Sequence, residues 1–218
     1  MKRLLVLALV FVAGAAMAGS LGMPNLLLSP GFEEAGDYWG YDLGPGWTNS
    51  GSPGYQVIFP GWYWGAGPRT GAKAAGLASN YGVQTGLATQ IIPVDFGEWT
   101  VDLTGWVWIF DNSNDWGWDT WLKATLTVDG VPVASQTVSS MTHPMEQWVP
   151  IQIIWQGPVM GYLDLHLEGR ADGQGGGGWG VLSTDDWDLE IGPIPEPSSL
   201  LALLTGVAGL GGLALRRR

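Results

Sequence analysis

Five side chains in this 218-residue chain have the types and spacing to hold a sugar. Trp106 and Trp108 alternate along one stretch, Trp121 opens the next, and Tyr162 and His166 share a face of a later one. Thr104, Asp102 and Lys123 lie among them in the pattern. Sugars bind such faces because their C–H groups stack on a ring while their hydroxyls bond to polar neighbours. The same rings have a second reading, in which Trp-rich loops carrying Trp62, Trp64, Trp116 and Trp118 cover them as a minor core. Catalysis has less to stand on. A glycosidase needs two carboxylates at a fixed separation, and among 20 acidic residues some pair always exists. His143 and His166 have no Ser or Asp constellation around them. With two histidines and no cysteine, a catalytic zinc site, a thiol nucleophile and disulfides are poor fits or excluded. The glycine run from Gly173 to Gly178 reads as a linker-like loop and precedes no helix.

These residues need strands to place them. Thr100 to Phe110 alternates with Val101, Leu103, Val107 and Ile109 on one face and Thr100, Asp102, Thr104, Trp106, Trp108 and Phe110 on the other. A period of two is the mark of a half-buried strand. Trp121 to Val128 repeats it, with Leu122, Ala124, Leu126 and Val128 inward. Asp129-Gly130 is a two-residue hairpin turn, and Val131 to Val138 is the return strand. Tyr162 to Glu168 sets Leu163, Leu165 and Leu167 inward and Tyr162, Asp164, His166 and Glu168 outward. Further strands are expected at Leu26 to Leu28, Leu87 to Pro93, Trp148 to Trp155 and Ser183 to Ile191, the last with Trp187, Leu189 and Ile191 inward. From Trp39 to Gly86 the chain is dense in Gly, Pro and aromatics and reads as loops and short strands. Seven to nine short strands with Gly/Pro turns and no helical period predict an all-β, antiparallel β-sandwich.

Nine basic residues face twenty acidic ones, a formal net charge of −11. Five of the nine lie at the two ends of the chain, leaving Arg69, Lys73, Lys123 and Arg170 between. Nucleic acid is a poor partner for such a surface. All 14 tryptophans lie between the ends, too many to be fully buried together. The N-terminus has a positive pair, Lys2 and Arg3, an apolar run from Leu4 to Ala13, and an A-x-A site at Ala16-Met17-Ala18. That is the pattern of a cleaved signal peptide over 1–18. At the other end Pro195-Glu196-Pro197 precedes an uncharged run from Leu200 to Leu215, and Arg216, Arg217 and Arg218 follow. The run suits a lipid environment, although it is short of the roughly 20 residues of a usual span.

This tail, over 193–218, resembles the PEP-CTERM sorting signal of Gram-negative bacteria. The resemblance implies an exported protein, recognised at the inner membrane by an exosortase-type enzyme. It also implies a cut near the PEP triplet and release to the cell surface or an extracellular polysaccharide matrix. An ordinary C-terminal anchor is the alternative.

The region between, 19–192, is long enough for one sizeable core. Its order of features resembles the galactose-binding-like, carbohydrate-binding-module type of jelly roll. The shared marks are an opening N-L-L-x-x-P-G-F-E from Asn25 to Glu33, a Gly46-Trp47 pair, the L-T-G-W-V run from Leu103 to Val107, and a closing D-D-x-x-L with Asp185, Asp186 and Leu189. In that family the matching positions Glu33 and Asp185 meet across adjacent terminal strands and hold a structural calcium with backbone oxygens. Calcium takes six to eight hard oxygen ligands, which two carboxylates and turn carbonyls supply. Both are otherwise solvated or capping carboxylates. Asp186 and Asp188 are alternative ligands, which strict alternation places on the opposite side of the strand from Asp185. The sequence therefore predicts a non-catalytic matrix protein that binds glycan. The alternatives are a structural protein acting by protein contacts and a small glycan-active enzyme.

Overall fold

The computed structural model describes residues 23–62, 66–112, 119–173 and 178–194. Both terminal segments lie outside these residues. So do the cleavage positions Ala16 and Ala18 and the tail positions Pro195, Glu196, Pro197, Arg216, Arg217 and Arg218. Among the described residues no helix is long and apolar enough to cross a membrane.

Ten strands form two five-stranded antiparallel sheets. They are β1 (Thr48–Ser52), β2 (Gln56–Ile58), β3 (Ala74–Ser79), β4 (Gly82–Pro93), β5 (Gly97–Asp111), β6 (Trp121–Val128), β7 (Val131–Ser139), β8 (Trp148–Val159), β9 (Tyr162–Gly173) and β10 (Gly180–Pro193). One sheet, called A below, runs β1-β4-β9-β6-β7. The other, B, runs β2-β3-β10-β5-β8. Only the β2–β3 and β6–β7 connections stay within a sheet, so most of the chain passes from one sheet to the other.

Alternation explains the core. Val101, Leu103, Val107 and Ile109 of β5 face Leu122, Ala124 and Leu126 of β6 and Leu163, Leu165 and Leu167 of β9, all buried in one cluster. The β6–β7 turn has positive φ at both Asp129 (50°) and Gly130 (79°), the conformation that matches strand twist in a two-residue hairpin. Two glycines directly opposite each other, Gly86 on β4 and Gly169 on β9, leave room for Tyr55. Its ring carbon lies 2.7 Å from where a Cβ on Gly86 would be. Burial and the nearby Glu168 charge push the Tyr55 hydroxyl pKa well above its ordinary value.

In β10 the predicted alternation is broken once. Leu182 and Thr184 face inward before the break, and Trp187 and Leu189 after it. A bulge between Asp185 and Asp188 inserts the one extra residue that shifts the phase. Asp186 there takes φ +50°.

The strand expected at Leu26 to Leu28 does not form. The segment runs beside β10, held by one backbone bond and by side chains rather than by a ladder. Leu26 N–H donates to the Leu189 carbonyl (2.9 Å). Asn25 bridges β10, accepting from Leu189 N–H (3.0 Å) and donating to the Trp187 carbonyl (2.9 Å). On the other side the Gln90 amide accepts from Leu28 N–H (2.7 Å) and donates to Leu28 C=O (3.0 Å).

Candidate functional site

The outward face of sheet A is a grid of polar side chains set by strand register. One row reads Thr85, Arg170 and Trp121, the next Leu87, Glu168 and Lys123, and the third Thr89, His166 and Thr125. Thr48 of β1 extends the third row, its hydroxyl 2.7 Å from that of Thr89. Between these rows a shallow groove of about 520 Å³ is lined by residues that include Gly51, Thr85, Thr125, Thr127, His166 and Glu168. Gly51, on the edge strand, has φ 133° and no room for a side chain against the Thr85 backbone. Arg170 is tied along its own strand to Asp172.

Behind Thr127 of the groove lining stands an incompletely used acid. Asp164 is buried and its Oδ2 accepts from the Thr127 hydroxyl at 2.8 Å. Its Oδ1 has no hydrogen-bond partner in the structure. A buried acceptor without a donor is costly, and this one stands in the row between His166 and Tyr162.

The five-residue aromatic platform predicted from sequence is not brought together. Trp121, Tyr162 and His166 share the outer face of sheet A, whereas Trp106 and Trp108 belong to β5 in sheet B. Their strands are consecutive in sequence, but the connection crosses between sheets, so the two outward faces point to opposite sides of the sandwich. Trp108 is buried in a minor core with Ile58, Trp62, Ala66, Ala74 and Val181, which is the alternative reading of these rings. Trp106 is half-buried and carries the Arg69 guanidinium 3.9 Å above its ring. Even the three sheet A residues are spread out. From Tyr162 to Arg170, the cross-strand partner of Trp121, is eight residues of β9, about 26 Å at roughly 3.3 Å per residue. Trp64, Trp116 and Trp118 lie outside the described residues.

The opening and closing motifs do meet, although Glu33 stands in a turn rather than a strand. Both carboxylates hold the same loop, which runs from Arg69 to Lys73. Asp185 Oδ2 accepts from the N–H groups of Arg69 (2.8 Å) and Thr70 (3.2 Å). Glu33 Oε1 accepts from those of Ala72 (2.9 Å) and Lys73 (3.1 Å). The bulge overturns the expectation that Asp186 points away from Asp185. Asp186 reaches the same loop, accepting from the Thr70 hydroxyl (2.6 Å) and pairing with Arg69 (2.7 Å). The same bulge puts Asp188 on the outer face of sheet B with Asp185, not opposite it, but away from the loop, in a cluster with Asp102, Thr104, Gln152 and Glu190. Burial and the charges of Glu190 and Asp102 raise its pKa. Burial, then the Asp186 charge, pushes the Asp185 carboxyl up to about 7 against three backbone N–H bonds that lower it.

Gly31 lies at the centre of this clasp. A Cβ there would sit 3.5 Å from Asp185 Oδ1, 3.6 Å from Asp186 Oδ1 and 4.0 Å from Glu33 Cγ. The bare glycine thus faces two carboxylate oxygens, Asp185 Oδ1 and Asp186 Oδ1, each already accepting a hydrogen bond, while Glu33 presents only its methylene carbon there. Among the described residues no three His, Cys, Asp or Glu side chains form a complete metal site. A cation beside Gly31 would therefore also draw on backbone carbonyls.

Sequence reasoning missed β1, whose sequence TNSGS has no apolar alternation, and with it the edge of the groove. Asp164 and Glu168 were readable as outward residues of the β9 pattern. What marks Asp164 out, its burial and unused oxygen, was not.

No family model matches the chain, and no curated protein matches it. Among solved structures it is similar to TmCBM61, described in complex with β-1,4-galactotriose. The identity is 17%, covering 77% of this chain and 98% of that one, with a TM-score of 0.53. It is also similar to the CBM22-1 xylan-binding domain from Paenibacillus barcinonensis Xyn10C, at 16% identity, 81% and 99% coverage and a TM-score of 0.46. A third, a family 16 carbohydrate-binding module, shows 13% identity, 76% and 99% coverage and a TM-score of 0.46. At these identities it is the fold that is shared: the chain is an antiparallel two-sheet β-sandwich of the kind seen in TmCBM61.

Proposed function

We propose that this protein is an exported, non-catalytic carbohydrate-binding β-sandwich whose ligand lies along the outer face of sheet A. The observation that carries the reading is the groove itself: hydroxyls of Thr85, Thr125 and Thr127 beside His166 and Glu168, with Trp121 at one end of the face and Tyr162 at the other. Closely spaced hydroxyl, imidazole and carboxylate groups suit the alternating donors and acceptors of a sugar chain. The length of the face, about 26 Å, favours an extended polysaccharide over a single sugar. Hydrolysis is not supported by this arrangement. Asp164 and Glu168 are four residues apart on one strand, about 13 Å, beyond the roughly 5–9.5 Å separation that glycosidases use.

Two finer parts of the reading rest on sequence. The PEP-type tail and the signal peptide support processing by an exosortase-type enzyme at the inner membrane and delivery to the surface or matrix. The carboxylates of Glu33 and Asp185, with Asp186 beside them, support a structural calcium beside Gly31. There it would neutralise the buried Asp185 carboxylate and fix the loop from Arg69 to Lys73.

Isothermal titration of the full chain with neutral oligosaccharides tests the binding. Heat with at least one of them, with the groove component lost in the His166→Ala variant, is expected. Silence with every glycan together with self-association would replace this reading by a structural matrix role. Intact mass from fractionated cells tests the address. A species from Gly19 to near the PEP triplet in the medium is expected, and one retaining Arg218 in the inner membrane would sink it.

A further inference from the structure

A second aromatic surface lies outside the groove lining, on the loop over 36–42 that rides on β2 at the edge of sheet B and meets β1 of sheet A. The loop is closed by Gly36 N–H to the Asp42 carbonyl (2.9 Å) and Gly40 N–H to the Asp37 carbonyl (2.9 Å). Two further bonds clamp it to the strand, Trp39 N–H to Val57 C=O and Val57 N–H to Gly40 C=O, both 2.9 Å. Asn49 of β1 donates to the Tyr41 carbonyl at 2.8 Å. So short a loop with this many anchors is rigid.

It nevertheless turns three large rings to solvent. Tyr38, Trp39 and Tyr41 are 45%, 43% and 47% exposed. Trp39 takes φ +68°, a left-handed conformation costly for a bulky side chain. The indole is held rather than loose: Phe59 meets it edge-on with centroids 5.6 Å apart, and Trp62 lies 5.9 Å away. Tyr38 packs edge-on to the same Phe59 at 5.2 Å. Stacking surfaces of this sort are normally buried, and here a strained backbone keeps them out.

We propose that this loop is a second saccharide-binding surface, independent of the groove, taking a short run of neutral pyranose units against Tyr38, Trp39 and Tyr41. Area and charge select the occupant. Three rings of about 200 Å² each, somewhat under half exposed, offer about 300 Å². A stable protein partner needs about 800 Å² per side, whereas two or three sugar units need no more than the rings supply. The exposed carboxylates of Asp37 and Asp42 flank the rings, and Gln56 donates to the Tyr41 hydroxyl at 3.4 Å. The nearby Lys73 ammonium is turned away to the Ala35 carbonyl at 2.6 Å. Phosphate, anionic glycan and acidic lipid are thereby disfavoured, while hydroxyl-rich neutral sugars find both stacking faces and acceptors. With a second site at the edge beside β1, one molecule engages glycan at two places.

The test is 19F NMR on the full chain labelled with 5-fluorotryptophan, with Trp39→Phe and Trp121→Phe used to assign two resonances. The probes are β-1,4-galactotriose, cellohexaose and xylohexaose. The Trp39 resonance is expected to move with at least one probe. In Tyr38→Ala/Tyr41→Ala protein the midpoint should weaken about tenfold, the equivalent of about 1.4 kcal/mol or one ring stack. His166→Ala should leave the Trp39 titration unchanged. A Trp39 resonance that stays still with all three probes overturns the proposal. So does a Trp39 response abolished by His166→Ala, since that would mean a single site. The Trp121 resonance reports on the groove separately, so failure of one surface is distinguishable from failure of the other.

Discussion

The indole of Trp187 fills the space that a side chain on Gly105 would need. Any Cβ at residue 105 would overlap the six-membered ring. The contact is fixed from both sides: the bulge in β10 turns Trp187 inward across from β5, and Trp187 Nε1 donates to the Thr184 hydroxyl at 2.8 Å. Gly105→Ala should therefore destabilise the domain by about 1–3 kcal/mol through overpacking. Urea unfolding measures it, and a midpoint equal to wild type would show that the ring moves aside freely.

Stability and binding should separate between the two sheets. Trp108→Ala empties part of the minor core and should cost about 3–5 kcal/mol, while leaving glycan affinity intact wherever the protein remains folded. Trp121→Ala should do the reverse, weakening binding about tenfold with little change in melting temperature. Thermal melts and titration calorimetry on both variants check the pair of outcomes. Lost binding in Trp108→Ala protein that is still folded would move the site to sheet B.

The Thr127–Asp164 pair makes a narrower prediction. Thr127→Val removes the one donor bonded to the buried Asp164 carboxylate among the described residues. The loss should be about 1–3 kcal/mol. A saturating groove ligand that donates a hydroxyl to Asp164 should restore part of it. Melts with and without oligosaccharide read the difference, and an equal penalty in both would place Asp164 outside the ligand's reach.

Asp185 gives the fold a dependence on pH. Its carboxyl sits at about 7 in the folded chain, above the ordinary 3.8. The folded state therefore holds a proton that the unfolded state has already released between those values. Linkage makes the contribution largest below about pH 4; it declines as pH rises towards 7 and is constant above. In chelator, melting temperature should drop from about pH 5 to about pH 8 on account of this group. Calcium beside Gly31 would compete with the proton and raise stability most at the higher pH. Asp185→Asn should flatten the chelator profile and abolish the calcium response. A melting temperature indifferent to calcium at the higher pH would rule out the metal.

The fold was legible wherever a strand had one apolar and one polar face. β5, β6 and β9 follow the alternation of Val101 to Ile109, Leu122 to Val128 and Leu163 to Leu167 residue for residue, because each buries one face against the opposite sheet. β1 was invisible because it is a polar edge strand, and β3 (AAGLAS) because small residues on both faces erase the period. The site was half legible. Alternation put Trp106, Trp108, Trp121, Tyr162 and His166 outward, but outward has two meanings in a two-sheet fold. Which sheet each strand joins depends on pairings such as β6 with β9 and β5 with β10, which are set by contacts distant in sequence. The bulge at Asp186 was hidden for a related reason. One residue at positive φ reverses the sidedness of everything beyond it, and the DDWD sequence carries no glycine to announce it.

The three bonds that join Asn25 and Leu26 to Trp187 and Leu189 also have a mechanical consequence. The chain enters the sandwich beside the strand by which it leaves. Tension applied at both ends is carried across this short clasp and bypasses the hydrophobic core. The domain thus hangs as a pendant from one point instead of acting as a link in series. Force entering at this point reaches the sandwich through the middle strand of sheet B, which pairs with β5 from Gly180 to Pro193 and with β3 over Gly180 to Thr184.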